Sequence, residues 1–152
     1  MIYTVLTCLF LPIIYILLFF KKKEVKRILI IQTAKIGDLI CSTPVFRAVK
    51  KKHPNANVTV IASPLTRELL LNNPYVNEII PLETNFHKGF TGKVRLARLI
   101  HKGRYDIGIS LNPNVPFLLA MFWELIPVRV SIMPDFAGIT YKMASVFSTY
   151  LE

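Results

Sequence analysis

RILIIQTAKIGDLICSTP, running from Arg27 to Pro44, decides the fold. Its apolar run, Ile28 to Ile31 closed by Gln32, reads as a strand buried on both faces of a parallel sheet. A short polar turn, TAKIGD from Thr33 to Asp38, follows and leads into a stretch with helical spacing. Strand, turn and helix in that order open a βαβ unit. Ligands of an open α/β sheet bind outside the carboxyl ends of its strands, so this turn sets a glycine and a lone carboxylate, Gly37 and Asp38, where chemistry would occur.

The pattern repeats downstream. Strands are expected at Ile28–Gln32, Val58–Ala62, Glu78–Leu82, Asp106–Leu111 and Val128–Ile132. The first two begin about thirty residues apart, the length of one βαβ unit. The first helix is expected from Asp38 to Lys52 with Leu39, Ile40, Phe46 and Val49 facing inward, and Pro44 must either kink it or restart it with Ser42 or Thr43 as cap. His53-Pro54 ends it, because a residue before proline avoids the helical region. Further helices are expected at Leu65–Asn72, Gly92–Lys102 and Val115–Leu125, the last apolar almost all round and therefore deeply packed. The segment TNFHKGFT (Thr84–Thr91) reads as a loop, and the residues after Pro134 look helical again.

Upstream of Arg27 the composition changes. Met1 to Phe20 carry no charged side chain, and about twenty apolar residues suffice to cross a bilayer core. Lys21, Lys22 and Lys23 follow at once. A cleavable signal peptide carries its charge before the apolar run and small residues after it, the reverse of this arrangement. The expectation is an uncleaved transmembrane anchor at residues 1–20, a basic juxtamembrane linker at 21–26 and one α/β domain at 27–152. The positive-inside rule then puts that domain on the cytoplasmic side of the inner membrane.

The 152 residues bear a net charge of +10, with mean hydropathy +0.45. Lys21, Lys22, Lys23, Lys26, Arg27, Lys35, Arg47, Lys50, Lys51 and Lys52 face only Glu24 and Asp38 in the first third of the chain. An anionic membrane surface explains that excess next to an apolar anchor, and helix dipoles favour lysines at a helix C-terminus such as Lys50–Lys52. No nucleic-acid motif accompanies the charge, so nucleic acid is not an expected partner. Cys8 and Cys41 do not suit a disulfide, and His53, His87 and His101 are too widely spaced for a metal site.

The turn lacks both G-x-G-x-x-G and a Walker A sequence, which removes the usual warrants for dinucleotide or nucleoside-triphosphate binding. Lys35 and the helix N-terminus suit an anionic group, and Gly37 permits a close approach or a left-handed backbone. Asp38 has two readings: a helix-start carboxylate that caps N–H groups, or a base that takes a proton from a substrate hydroxyl. Arg129 either snorkels at a sheet edge or points into the cleft, and Asp106 shapes the start of a strand.

The combination RILIIQTAKIGDLICSTPVFRAVKKKHPNANVTVIA, NNPYVNEIIPL, GRYDIGISLNPN and IPVRVS resembles glycosyltransferase family 9, the heptosyltransferases of the lipopolysaccharide inner core. The resemblance runs from Arg27 to the C-terminus. It implies a Rossmann-like parallel sheet with flanking helices, the N-terminal half of a GT-B fold, in an inverting, metal-independent enzyme without a cofactor. It implies Asp38 as the general base, with Thr33, Lys35 and Gly37 shaping a pocket for a lipid-linked saccharide acceptor. The donor would be a nucleotide-sugar such as ADP-heptose. Two features depart from the family: a membrane span is unusual in it, and the chain ends where a donor-binding domain is expected. On this reading the chain alone transfers no sugar, and a C-terminal donor-binding domain or a partner chain supplies the missing half. The competing reading is a non-catalytic membrane-anchored α/β module that binds a lipid-linked saccharide or a partner protein.

Overall fold

A computed structural model of the chain describes residues 24–83, 89–112, 114–132, 138, 142, 144 and 148–151. The expected anchor falls outside these residues, as does half of the linker, residues 21–23. Among the described residues no helix is long and apolar enough to cross a membrane.

Six parallel strands form one sheet: β1 (Arg27–Gln32), β2 (Asn57–Ala62), β3 (Glu78–Pro81), β4 (Ile107–Ser110), β5 (Val128–Ser131) and β6 (Tyr150–Leu151). Their spatial order is β3-β2-β1-β4-β5-β6. That is the doubly wound order, whose direction reverses between β1 and β4. Five of the strands lie within a residue or two of their expected bounds. The two-residue β6 was not expected, being too short to leave an apolar run.

β1 shows why the sheet forms. Ile28, Leu29, Ile30 and Ile31 are fully buried, and the pleat sends them to opposite faces. Leu29 and Ile31 join Leu96, Ile100, Phe117 and Phe122 on one face, whereas Ile28 and Ile30 join Leu39, Phe46 and Leu70 on the other. Each such side chain contributes about 1.5–3 kcal/mol relative to exposure.

Helix α1 spans Ile36–Lys52 as one unit, so Pro44 does not restart it. The carbonyl of Ile40, partner of the N–H that Pro44 lacks, belongs to a residue that is 59% exposed, and water can satisfy it. This exposure also corrects the inward placement of Ile40, while Leu39 and Phe46 are buried as expected. The expected helix at Leu65–Asn72 is a 3-10 turn, Pro64–Thr66, followed by the single-turn α2, Arg67–Leu70. Helix α3 starts at Gly89 and ends at Gly103, taking in the last residues assigned to the loop, and α4 covers Val115–Trp123. Phe117 to Phe122 of α4 are all buried, in accord with its all-round apolar surface.

The GRYD sequence closes the junction from α3 to β4. Asp106 Oδ2 accepts the Lys26 and Arg27 N–H groups at 2.8 and 3.0 Å, so it does set the start of the sheet. Tyr105 lies across Gly103, where an added Cβ would stand 2.1 Å from its ring and no side chain fits. Burial pushes the Tyr105 hydroxyl above its ordinary 10.0 and the Glu78 carboxylate adds to this, against the Thr59 hydroxyl bond and the Arg27 charge. A raised folded value means that Tyr105 contributes stability in full below pH 10, lost as pH climbs through the folded value. Tyr105→Phe is therefore expected to flatten the alkaline loss of stability, read from urea melts at successive pH values above that point; an unchanged alkaline slope would show that another group controls it.

Arg129 resolves differently from both expectations. It is 2% exposed, with its guanidinium stacked on Phe122 at 5.3 Å and Nη1 donating to the carbonyls of Ile126 and Pro127. Those carbonyls precede β5, so the side chain turns toward the amino edge of the sheet and away from the carboxyl edge.

Candidate functional site

The reversal of strand order leaves a crevice at the carboxyl ends of β1 and β4, where Ile31 and Ser110 are in register. Two backbone-to-loop bonds hold its walls together. Leu111 N–H donates to the Ile31 carbonyl at 3.0 Å, and Thr33 N–H donates to Asn112 Oδ1 at 2.7 Å. Ser110 Oγ in turn donates to the Asn112 carbonyl at 2.8 Å. Helices α1 and α4 both start at this edge, so their amino ends flank the crevice.

All four residues expected to form the site lie at this crevice: Thr33 and Lys35 in the β1–α1 connection, Gly37 and Asp38 in the first turn of α1. Thr33 is half-buried and anchored through its N–H. Lys35 is the exposed N-cap residue of α1 in extended conformation, with no side-chain cap. The first bond of the helix runs from Leu39 N–H to the Lys35 carbonyl at 3.1 Å. The N–H groups of Ile36, Gly37 and Asp38 therefore precede the helical ladder and face outward, a ready donor set for an anion.

Gly37 is not left-handed: it sits in the first turn of α1, and an added Cβ would meet nothing within 4 Å. The backbone does not demand glycine here. What glycine preserves is open space directly in front of three N–H donors.

Asp38 lies one position further, exposed, and among the described residues its carboxylate accepts no hydrogen bond and pairs with no cation. The capping interaction considered from spacing is therefore not made. Its main chain, in contrast, is held firmly. Ser42 Oγ donates to the Asp38 carbonyl at 2.7 Å, and Gln32 Nε2 donates to Ser42 Oγ at 2.6 Å and to the Asp38 carbonyl at 3.3 Å. Gln32 Oε1 also accepts the Ala34 N–H at 3.4 Å. Gln32 is 3% exposed, so this polar side chain is spent inside the turn. Gln32, Ser42 and Asn112 were missed from the sequence. The only signal available was an amide ending an otherwise apolar strand.

Chemically, the crevice joins outward N–H donors and an ammonium group to one free carboxylate on a rigid backbone. It suits an anionic ligand that carries a hydroxyl to be deprotonated. Among the described residues no cluster of three or more His, Cys, Asp or Glu could hold a metal ion. A separate cavity of about 440 Å³, lined in part by Arg27, Thr59, Glu78 and Tyr105, lies at the opposite, amino edge and shares no residue with the crevice.

No protein-family model matches the chain. Lipopolysaccharide heptosyltransferase 2 of Salmonella typhimurium is 32% identical over 104 residues, 68% of this chain and 30% of that protein. Among solved structures, a glycosyltransferase family 9 protein from Veillonella parvula matches 86% of this chain and 37% of its own at 25% identity, with a TM-score of 0.68. The Escherichia coli ADP-heptose lipopolysaccharide heptosyltransferase II matches 83% of this chain and 34% of its own, also at 25% identity, with a TM-score of 0.66. The chain spans about 30% of the length of the curated relatives it matches. In sequence and in fold, the described domain is a heptosyltransferase-like N-terminal region of glycosyltransferase family 9.

Proposed function

We propose that residues 27–152 are the acceptor-binding domain of an inverting glycosyltransferase that builds the lipopolysaccharide core. The observation that carries this reading is the carboxylate of Asp38, without a partner among the described residues and held on a fixed backbone beside Lys35 and three outward N–H groups at the switch point of the sheet. Lys35 and the N–H groups bind an anionic, lipid-linked saccharide, while Thr33 and Gly37 shape its approach. Asp38 accepts the proton of the acceptor hydroxyl. As that oxygen bonds to the anomeric carbon, the bond to the nucleotide diphosphate breaks, and its electron pair leaves with the diphosphate. The donor, a nucleotide-sugar such as ADP-heptose, is held by a second domain or chain. No metal or cofactor takes part in this scheme. Residues 1–20 hold the domain on the cytoplasmic side of the inner membrane.

Gly37→Ala tests the acceptor half of this reading. The substitution meets no atom and favours the helix, so stability should rise by about 0.5–1 kcal/mol. The added methyl projects where the acceptor approaches, so affinity for the acceptor should fall by roughly tenfold, a loss of about 1.4 kcal/mol. A more stable variant with unchanged acceptor affinity would remove Gly37 from the pocket.

A further inference from the structure

We infer that Asn112 reads the sugar of the acceptor, its side-chain Nδ2 donating to a hydroxyl oxygen of the ring while the charged wall opposite holds the anionic group. This assignment rests on the acceptor-binding role proposed for the crevice and adds which way round the acceptor lies in it.

The two walls of the crevice differ in chemistry. On the β1–α1 side stand an ammonium, a carboxylate and three outward N–H groups. Across the switch point, residues 111–116 follow β4 and carry no charged side chain; their polar side chains are the amides of Asn112 and Asn114. An ammonium and helix-start N–H groups suit an anion. A neutral amide donates and accepts, and so does a hydroxyl. An anionic saccharide therefore finds a wall for each of its two kinds of group.

Asn112 is held at both of its oxygens. Oδ1 accepts the Thr33 N–H at 2.7 Å, and the carbonyl accepts the hydroxyl of the fully buried Ser110 at 2.8 Å. A backbone N–H can only donate, so it fixes which end of the amide is oxygen. The other end, Nδ2, carries two N–H donors beside Thr33 and bonds to nothing among the described residues. The residue is half-buried, where unfilled donors cost stability. A staple between the walls needs only an acceptor, and a charged aspartate would take the Thr33 N–H at least as strongly. What the amide adds is a pair of donors, without a second negative charge beside an anionic ligand. Asn114 is the N-cap of α4, where asparagine ordinarily bonds back to the helix, yet its side chain makes no cap bond. The wall thus holds two amides that helix and sheet do not fully use.

One sugar can meet this amide and the base together. Thr33 stands two residues before Lys35, a span of at most about 7 Å. Asp38 is folded back to the same strand end, its carbonyl accepting Gln32 Nε2 at 3.3 Å, and Gln32 immediately precedes the Thr33 N–H that Asn112 holds. A hydroxyl oxygen gripped by Nδ2 sets the orientation of the ring, and with it which neighbouring hydroxyl faces Asp38. Asn112 is then a positioning residue that determines specificity; it moves no proton.

The test follows the full chain by NMR during titration with a phosphorylated lipopolysaccharide-core saccharide and with its monodeoxy analogues, each lacking one hydroxyl. The side-chain NH2 pair of Asn112 should shift with the same saturation as the Lys35 backbone amide. One monodeoxy analogue should bind about five- to tenfold more weakly than the parent and move that pair far less. Asn112→Ala should bind the parent at least as weakly as the wild type binds that analogue, and should no longer tell the two apart. Ser110→Ala loosens the same wall but keeps the amide, so it should retain the discrimination whatever its affinity. A merely structural Asn112 would weaken the parent and every analogue by one common factor in Asn112→Ala; an unchanged ratio of affinities therefore overturns the proposal. Saturable binding at the crevice with an unmoved NH2 pair also overturns it, needs no variant, and leaves the roles of Lys35 and Asp38 standing. Absence of any saturable shift at the crevice overturns both this assignment and the acceptor reading beneath it.

Discussion

Asp38→Asn is expected to lower sugar transfer by about 10²–10⁴-fold when the chain is assayed with a nucleotide-sugar-binding domain. The change keeps the size and the neutral hydrogen-bonding capacity of the side chain but removes the proton acceptor. Because the carboxylate has no partner among the described residues, its loss leaves no buried group unsatisfied. Stability should move by no more than about 0.5 kcal/mol, the scale of one exposed charge near a helix start. Acceptor affinity should change little, since Lys35 and the N–H groups are untouched; the loss belongs in kcat. Transfer near the wild-type rate would leave Asp38 as an ordinary helix-start charge and favour a binding module over a catalyst. The scaffold under it makes a useful contrast. Gln32 and Ser42 fix the Asp38 carbonyl, not its carboxylate, so changes there act by loosening the turn.

Arg129→Ala is expected to cost about 3 kcal/mol in urea unfolding and to lower Tm by about 10 °C. The side chain is almost wholly buried, stacks on Phe122 and donates to the carbonyls of Ile126 and Pro127. Truncation leaves a void and unsatisfied carbonyl oxygens in the last turn before β5. Arg129→Lys should recover part of the loss, because an ammonium keeps the charge but not the planar fork. The folded fraction of either variant should bind acceptor normally. If Arg129→Ala unfolds no more easily yet loses acceptor binding, the guanidinium belongs to the crevice and its placement at the amino edge is wrong.

β1 and β2 were legible because each is a β-branched run buried from both sides, whereas β3, β4 and β5 are only partly buried and showed through their β-branched residues and spacing. The motifs behind the family resemblance prove largely architectural. Asn77 Oδ1 accepts the Val58 N–H at 3.0 Å and the Lys50 ammonium, Asn73 Oδ1 accepts the Tyr75 N–H, and Asp106 sets the first strand. What escaped the sequence were interactions that depend on three-dimensional neighbours. Gln32 reads as the last residue of a strand until α1 sets Ser42 against it, and Asn112 reads as a loop residue until the switch point brings β4 beside β1. Ile40 has helical spacing suited to the core, yet α1 turns it outward. The expected helix at Leu65–Asn72 shrinks to little more than a turn, with the 3-10 segment beginning at Pro64. Arg129 had no partner visible in sequence, since the carbonyls and ring that hold it are defined only once α4 packs on the sheet.

The central claim is that the acceptor is held at the β1–β4 switch point. Backbone amide NMR of the chain titrated with a phosphorylated lipopolysaccharide-core saccharide tests it most directly. Saturable shifts confined to Thr33–Asp38 and Ser110–Asn112 are expected, with Lys35→Ala weakening them. Shifts centred instead on Arg27, Thr59 and Tyr105 around the amino-edge cavity, or no saturable shift at the crevice, would contradict it.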